Sequence, residues 1–246
     1  MPRAPIGYRH LARAVPAALS FDGSDDILTV ADEAALQITD RITIMGWARL
    51  SGPSEQGYLC GRLNSASNGG YGILLQPTHG AASTIALAGL SAQLSVTGLV
   101  PSEQMTDWRH YAFSYDATAA SGSRPFRAYL DGNLIYELTN RTETIPAQAG
   151  LNFLVGNRTG GSSAGTYIGG LVRDVRVYNA ALTADEVARC CVGDGPDGVR
   201  PVLHLPLDDA TGVTARNLGS TLAGTISGAT WVTTAALMPF RARTLV

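Results

Sequence analysis

The sequence predicts an all-β fold, a sandwich or a barrel of many short strands, with one short helix towards its C-terminal side. Three observations carry this. Short apolar runs recur along the chain, separated by Gly, Ser, Asn and Asp clusters that read as turns. Among 246 residues there are 28 Gly and only 15% charged side chains, which suits turns and strands better than long helices. A single strong capping signature marks the helix.

The elements follow in order. Residues 19–21 and 27–30 flank the turn Asp22-Gly-Ser-Asp-Asp26. Residues 41–50, RITIMGWARL, are apolar at nearly every position, as in a strand covered on both faces. Residues 58–62, 71–76 and 84–87 come next. In 108–115, alternation puts Arg109, Tyr111, Phe113 and Tyr115 on one face and Trp108, His110, Ala112 and Ser114 on the other. Residues 126–130 and 134–138 bracket Asp131-Gly132-Asn133, a hairpin signal because Asp and Gly tolerate positive φ. Residues 152–156 and 170–178 complete the strands. Thr183-Ala-Asp-Glu186 is a capping box, with Leu182 and Val187 placed to staple it, and Gly193 ends the helix after ~8–10 residues. GDGPDG at 193–198 is a turn cluster.

Charge is spread unevenly. All 18 basic residues are Arg. Arg3, Arg9 and Arg13 stand in an N-terminal arm, 1–18, without an acid, and Arg241 and Arg243 stand in a tail, 236–246. Residues 21–240 hold 13 Arg against 20 acids, so basic ends flank an acidic body. Pro2, Pro5 and Pro16 prevent a continuous helix in the arm, which buries little by itself. These five arginines are therefore expected to make assembly contacts with carboxylates of a neighbouring subunit, in a homo-oligomer or larger particle. The net charge of −2 argues against a nucleic-acid binder. No apolar run reaches ~18 residues, so no membrane span is expected. Arg13 and Pro16 interrupt the apolar stretch 11–19, which excludes a signal-peptide core there. Cys60, Cys190 and Cys191 fit neither a disulfide framework nor a zinc site, and read as free thiols of a protein made in the cytoplasm.

Four segments then resemble one family. FDGSDDILTVADEAALQITDRITIMGWARL, WRHYAFSYDA, FRAYLDGNLIYE and GGLVRDVRVYNAALTADEV are similar, in that order, to motifs of laminin G-like domains of the concanavalin A-like lectin/glucanase superfamily. The resemblance covers 19–191 and implies a two-sheet antiparallel jelly roll of ~12–14 strands within 19–192. After the turn-rich linker 193–200, residues 203–232 look like the segment that precedes the first of these motifs in many relatives. Residues 201–235 are therefore expected to close the same sandwich, the alternative being a neighbour's.

The resemblance also frames the chemistry. Glucanase members take their carboxylates from an E-x-D-x-E strand, which this chain lacks, so no enzyme is expected. Several relatives bind calcium. Asp22-x-Ser24-x-Asp26 with Glu33 superficially matches an EF-hand loop, but Ile27 stands where Gly is needed. A structural calcium shared by Asp22 and Asp174 is the remaining metal candidate, and no other cofactor is implied. A sugar site needs an aromatic platform with polar neighbours. Trp47, Trp108 and Trp231 fall at core positions of the family pattern, leaving Tyr58, Tyr71 and Tyr167, near Gly/Ser/Asn-rich loops, as possible platforms. The leading expectation is a non-enzymatic virion component of a bacteriophage, a capsid decoration or tail-associated protein assembled in the host cytoplasm. The alternative is a carbohydrate-binding lectin module that attaches to a cell-surface glycan.

Overall fold

A computed structural model describes residues 17–77, 83–161 and 165–233. The strands run β1 (Ala17–Asp22), β2 (Ile27–Val30), β3 (Arg41–Leu50), β4 (Gly57–Leu63), β5 (Gly70–Gln76), β6 (Thr84–Ala88), β7 (Leu94–Thr97), β8 (Arg109–Asp116), β9 (Arg124–Leu130), β10 (Asn133–Arg141), β11 (Phe153–Val155) and β12 (Gly169–Tyr178). The helix α1 (Ala184–Cys191) follows, then β13 (Leu203–Leu205), β14 (Thr214–Ala215), β15 (Gly224–Ser227) and β16 (Thr230–Thr233). They form two antiparallel sheets packed as a sandwich. Sheet A has the order β10-β9-β8-β3-β12-β1-β16, with β13 also on β12, and sheet B the order β14-β15-β2-β11-β4-β5-β6-β7. This is the jelly-roll architecture. The sixteen strands among the described residues exceed the implied ~12–14 because the C-terminal segment supplies β13–β16, and the short β7 in a Ser/Gly-rich stretch carries little sequence signal.

The C-terminal strands pair within this chain. β13 extends the line of β1 along β12, β15 lies on β2, and β16 lies on β1 with Ala17 opposite Thr233. Leu203, Leu205, Leu207, Ala215 and Ile226 enter the same core as the strands before the helix.

Alternation explains both layers. Along β3, Ile42, Ile44, Ala48 and Leu50 face the core between the sheets, while Thr43 and Met45 are also buried but on the outer face. There Thr43 Oγ1 donates to the Ala180 carbonyl at 2.7 Å and accepts the Leu182 amide at 2.9 Å. Those bonds fix the chain entering α1, and Leu182 before the cap, with Val187 and Cys190 of α1, packs on Met45, Ala112, Tyr129 and Tyr178. That is why β3 is apolar on both faces. The capping box forms, with Glu186 Oε2 accepting the Thr183 amide at 2.8 Å and Thr183 Oγ1 accepting the Glu186 amide. Asp131 and Gly132 have φ of 52° and 77°, the two positive values that a tight two-residue hairpin turn requires. All three cysteines are free and buried.

Candidate functional site

β2, β11, β4 and β5 are neighbours in sheet B, so the loops at one end of these strands lie side by side. The loop after β2 supplies Asp32, the β4–β5 hairpin supplies Asn64 and Asn68, and the approach to β11 supplies Gln148 and Asn152. The hairpin is locally determined. Asn64 Oδ1 accepts the Asn68 amide at 3.1 Å, and its Nδ2 donates to Asn68 Oδ1 at 2.9 Å. Gly69 leaves room above it: a Cβ there would sit 2.5 Å from Gln148 Nε2 and 2.8 Å from Asn64 Nδ2. The Gln148 and Asn64 amides thus converge over one glycine.

Asp32 ties the loops together. Its Oδ1 accepts from Arg62 Nη2 at 2.6 Å, its Oδ2 accepts the Gly150 amide at 2.8 Å, and its own amide donates to Asn152 Oδ1 at 3.2 Å. Arg62 is 1% exposed and emerges from the core side of β4. Burial alone would raise the Asp32 pKa, but the Arg62 and Gly150 hydrogen bonds outweigh it and hold the carboxyl below its usual range. The cluster is thus a neutralised carboxylate among planar amides, with Asn68 and Asn152 exposed. Amides present donors and acceptors in one plane, which matches hydroxyls that do both.

The tyrosine candidates do not form platforms in the expected way. Tyr58 is 7% exposed, its hydroxyl is 2.8 Å from Ser67 Oγ, and the Arg158 guanidinium covers its ring at 5.7 Å. Arg158 also donates to the Ser65 carbonyl, so two loops close over Tyr58. Tyr71 is a core residue whose hydroxyl donates to the Leu36 carbonyl at 2.8 Å, because β5 turns it inward with Ile73 and Leu75. Tyr167 is half-buried in the loop before β12. Conversely, the tryptophans are not core residues. Trp47, Trp108 and Trp231 are all half-buried; Trp47 lies on the outer face of sheet A against His110, and Trp231 packs at the core's edge.

The shared calcium site is also corrected. Asp22 pairs with Gly169 across β1 and β12, five residues from Asp174, so strand geometry separates the two. Asp174 is occupied by cationic and ring donors, with Arg176 on both oxygens and His204 Nε2 at 2.9 Å from Oδ1. Asp22 instead meets Asp25 and Asp26, with carboxylate oxygens within 4.8 Å of one another. Turn hydrogen bonds account for this: Asp22 Oδ1 accepts the Ser24 amide and Asp26 Oδ2 accepts the Asp22 amide, each at 2.8 Å. Burial, then the Asp22 and Asp25 charges, raise the Asp26 pKa against one backbone hydrogen bond. Arg3, Arg9, Arg13, Arg241 and Arg243 lie outside the described residues.

The model of the concanavalin A-like lectin/glucanases superfamily matches residues 22–188, more than half of the chain. The chain belongs to this superfamily. Two solved structures show how far its lectin-type sandwich extends. A Bacteroides ovatus protein provisionally assigned to carbohydrate binding superposes with a TM-score of 0.68 at 17% identity over 91% of this chain. This chain spans 61% of that protein's length. A heptameric SAP-like pentraxin of Limulus polyphemus superposes with a TM-score of 0.57 at 14% identity, over 87% of this chain and 97% of that one. At such identities the likeness establishes the fold. No curated protein sequence matches the chain.

Proposed function

We propose that this protein is a non-catalytic carbohydrate-binding module, and that the rim of Asp32, Asn64, Asn68, Gln148 and Asn152 holds a neutral saccharide. The observation that carries this is the convergence of planar polar side chains from three loops onto one end of a lectin-type sandwich. Arg62 neutralises the single carboxylate among them, which favours an uncharged polyol over an ionic ligand. The same pairing speaks against catalysis. A glycosidase acid must hold its proton near neutral pH, whereas Asp32 is held below the ordinary carboxylate range. The comparisons give the virion role no support, and the lectin reading stands ahead of it.

A glycan array followed by calorimetry tests this. A neutral oligosaccharide should bind, and Asn64→Ala with Gln148→Ala should weaken it by about tenfold or more, equivalent to ~1.4 kcal/mol. An array without any saccharide hit would overturn the reading.

A further inference from the structure

The β4–β5 hairpin holds a reactive pair of residues as well as rim amides. Of the eight asparagines in the sequence, Asn68 is the one followed by glycine. Asn68 is exposed, whereas Gly69 is buried against Gln148. The fold demands glycine at 69, since a Cβ there would lie 2.5 Å from Gln148 Nε2 and 2.6 Å from its Cδ. An Asn-Gly pair is therefore built into the rim.

Several features prepare this pair for reaction. Asn64 Nδ2 donates to Asn68 Oδ1 at 2.9 Å, which draws electrons from the side-chain carbonyl carbon and makes it a better electrophile. Asn68 Nδ2 has no hydrogen-bond partner among the described residues, and at this exposed position it can depart into water. The Gly69 N–H likewise has no partner among the described residues, an uncommon state for a buried amide, so no carbonyl retains its proton. Without a Cβ, Gly69 leaves the approach of its nitrogen to Asn68 Cγ open.

We infer that Asn68 is a self-modification site, at which the folded hairpin converts the side-chain amide to a carboxylate and so weakens the saccharide rim. The Gly69 nitrogen bonds to Asn68 Cγ and the Cγ–Nδ2 bond breaks. The Gly69 proton passes through water to the departing amino group, which leaves as ammonia, and a five-membered cyclic imide remains. One water then opens the ring. Cleavage between Cγ and the Gly69 nitrogen gives aspartate; cleavage between the main-chain carbonyl carbon of residue 68 and that nitrogen gives isoaspartate. The sum exchanges –NH2 for –OH, consumes one water and involves no oxidant or reductant.

Either product alters the rim. The amide's N–H donors are lost, and a second carboxylate joins a rim where Arg62 offsets only Asp32. Isoaspartate also lengthens the main chain by one methylene, in a hairpin so tight that a Cβ on Gly70 would lie 1.8 Å from the Arg62 carbonyl oxygen. The effect on binding rests on the carbohydrate-binding reading; the modification itself does not.

The test ages the full chain at neutral and mildly alkaline pH and follows position 68 by mass spectrometry of the tryptic peptide 63–109. Isoaspartyl methyltransferase marks the isoaspartate. The mass gain of –OH over –NH2 should appear at 68 before any other asparagine, faster at the higher pH, and faster in the folded chain than in urea. Asn64→Ala, which removes the donor to Asn68 Oδ1, should slow it. Aged protein, separated from fresh by ion exchange, is then titrated with cello-, xylo-, manno- and chitohexaose. It should bind about fivefold or more weakly than fresh protein, and Asn68→Asp should weaken binding in the same direction. A rate at 68 lower in the folded chain than in urea would overturn the site. Modified protein with undiminished affinity would overturn its effect on binding. Fresh protein that binds no hexasaccharide would overturn the rim and that effect together, while the mass gain would still uphold the modification.

Discussion

Arg176 grips Asp174 with two parallel hydrogen bonds, Nε to Oδ1 at 2.8 Å and Nη2 to Oδ2 at 2.9 Å, across an irregularity in β12. Asp174 adopts φ of 48°, a conformation that Asp and Asn tolerate better than most residues. His204 of β13 completes the group, so one buried carboxylate joins β12 to the C-terminal segment. Burial alone would raise the Asp174 pKa, but the His204 hydrogen bond and the Arg176 charge overcome it and bring it down to about 2.

Asp174→Asn keeps the shape and the tolerance for positive φ but leaves Arg176 buried without its counter-charge. Arg176 is only 7% exposed, so the loss should be large, roughly 3–5 kcal/mol. Urea denaturation at pH 7 measures it. The depressed pKa also sets a sign: this stabilisation is full above the ordinary value of 3.8 and is lost as pH falls through about 2. The variant should lack that part of the acid dependence.

His110 acts at a higher pH. Burial, with Arg176 nearby, pushes its pKa down from 6.5 to about 4 despite the Asp174 and Asp131 charges. The folded state therefore favours neutral imidazole, and stability present above pH 6.5 should decline as pH falls towards 4. The full penalty is about 3 kcal/mol. His110→Phe should flatten the denaturation midpoint between pH 6.5 and 4. A profile in that window identical to the native one would show that another group sets the dependence.

Thr183→Ala should cost about 1 kcal/mol, because the Glu186 amide loses its acceptor at the start of α1. The effect should reach the whole sandwich, since α1 covers Met45, Ala112 and Tyr129 of sheet A. A thermal melt of the variant checks it.

The capping box and the Asp131-Gly132 turn were legible in the sequence because each depends on residues a few positions apart, and the sandwich because its short apolar strands and turn clusters recur along the chain. The rim was not. Asp32, Asn64, Gln148 and Asn152 are ordinary loop residues until sheet order sets β2, β11, β4 and β5 side by side. The tryptophans misled for a related reason. Position 47 lies in an apolar run, and only the extent of the α1 layer decides which outer-face residues it buries. Tyr71 and Trp47 thus exchange their expected places, one turned into the core and the other left on a face.

Gly61 links stability to the rim. It pairs with Gly72 across β4 and β5, and a Cβ on it would lie 2.5 Å from the Gly72 Cα. Gly61→Ala must push the two strands apart, at a cost of about 1–3 kcal/mol. Asn64 and Asn68 stand on this hairpin, so saccharide affinity should fall with stability. A melt and a calorimetric titration of the same preparation would separate a local shift from global unfolding.

The connection between α1 and β13 offers a test of how the C-terminal segment is held. Residues 193–195, 197 and 198 are exposed, and Arg189 bridges to Asp197 with two hydrogen bonds at 2.7 and 2.9 Å. A protease site inserted after Gly195 should therefore be cut in the folded protein. The segment after the cut contributes β13 to β12, β15 to β2 and β16 to β1, and buries Leu203, Leu205, Leu207 and Ile226 in the common core. Four such side chains, at ~1.5–3 kcal/mol each, exceed what a surface contact supplies. The two pieces should stay together in native mass spectrometry and separate only in denaturant. Expression of residues 1–200 alone should give an unfolded chain, because the edges of β1 and β2 and the floor of the core are then uncovered. Release of the C-terminal piece under native conditions, with residues 1–200 still folded, would mean that β13–β16 decorate the sandwich rather than complete it.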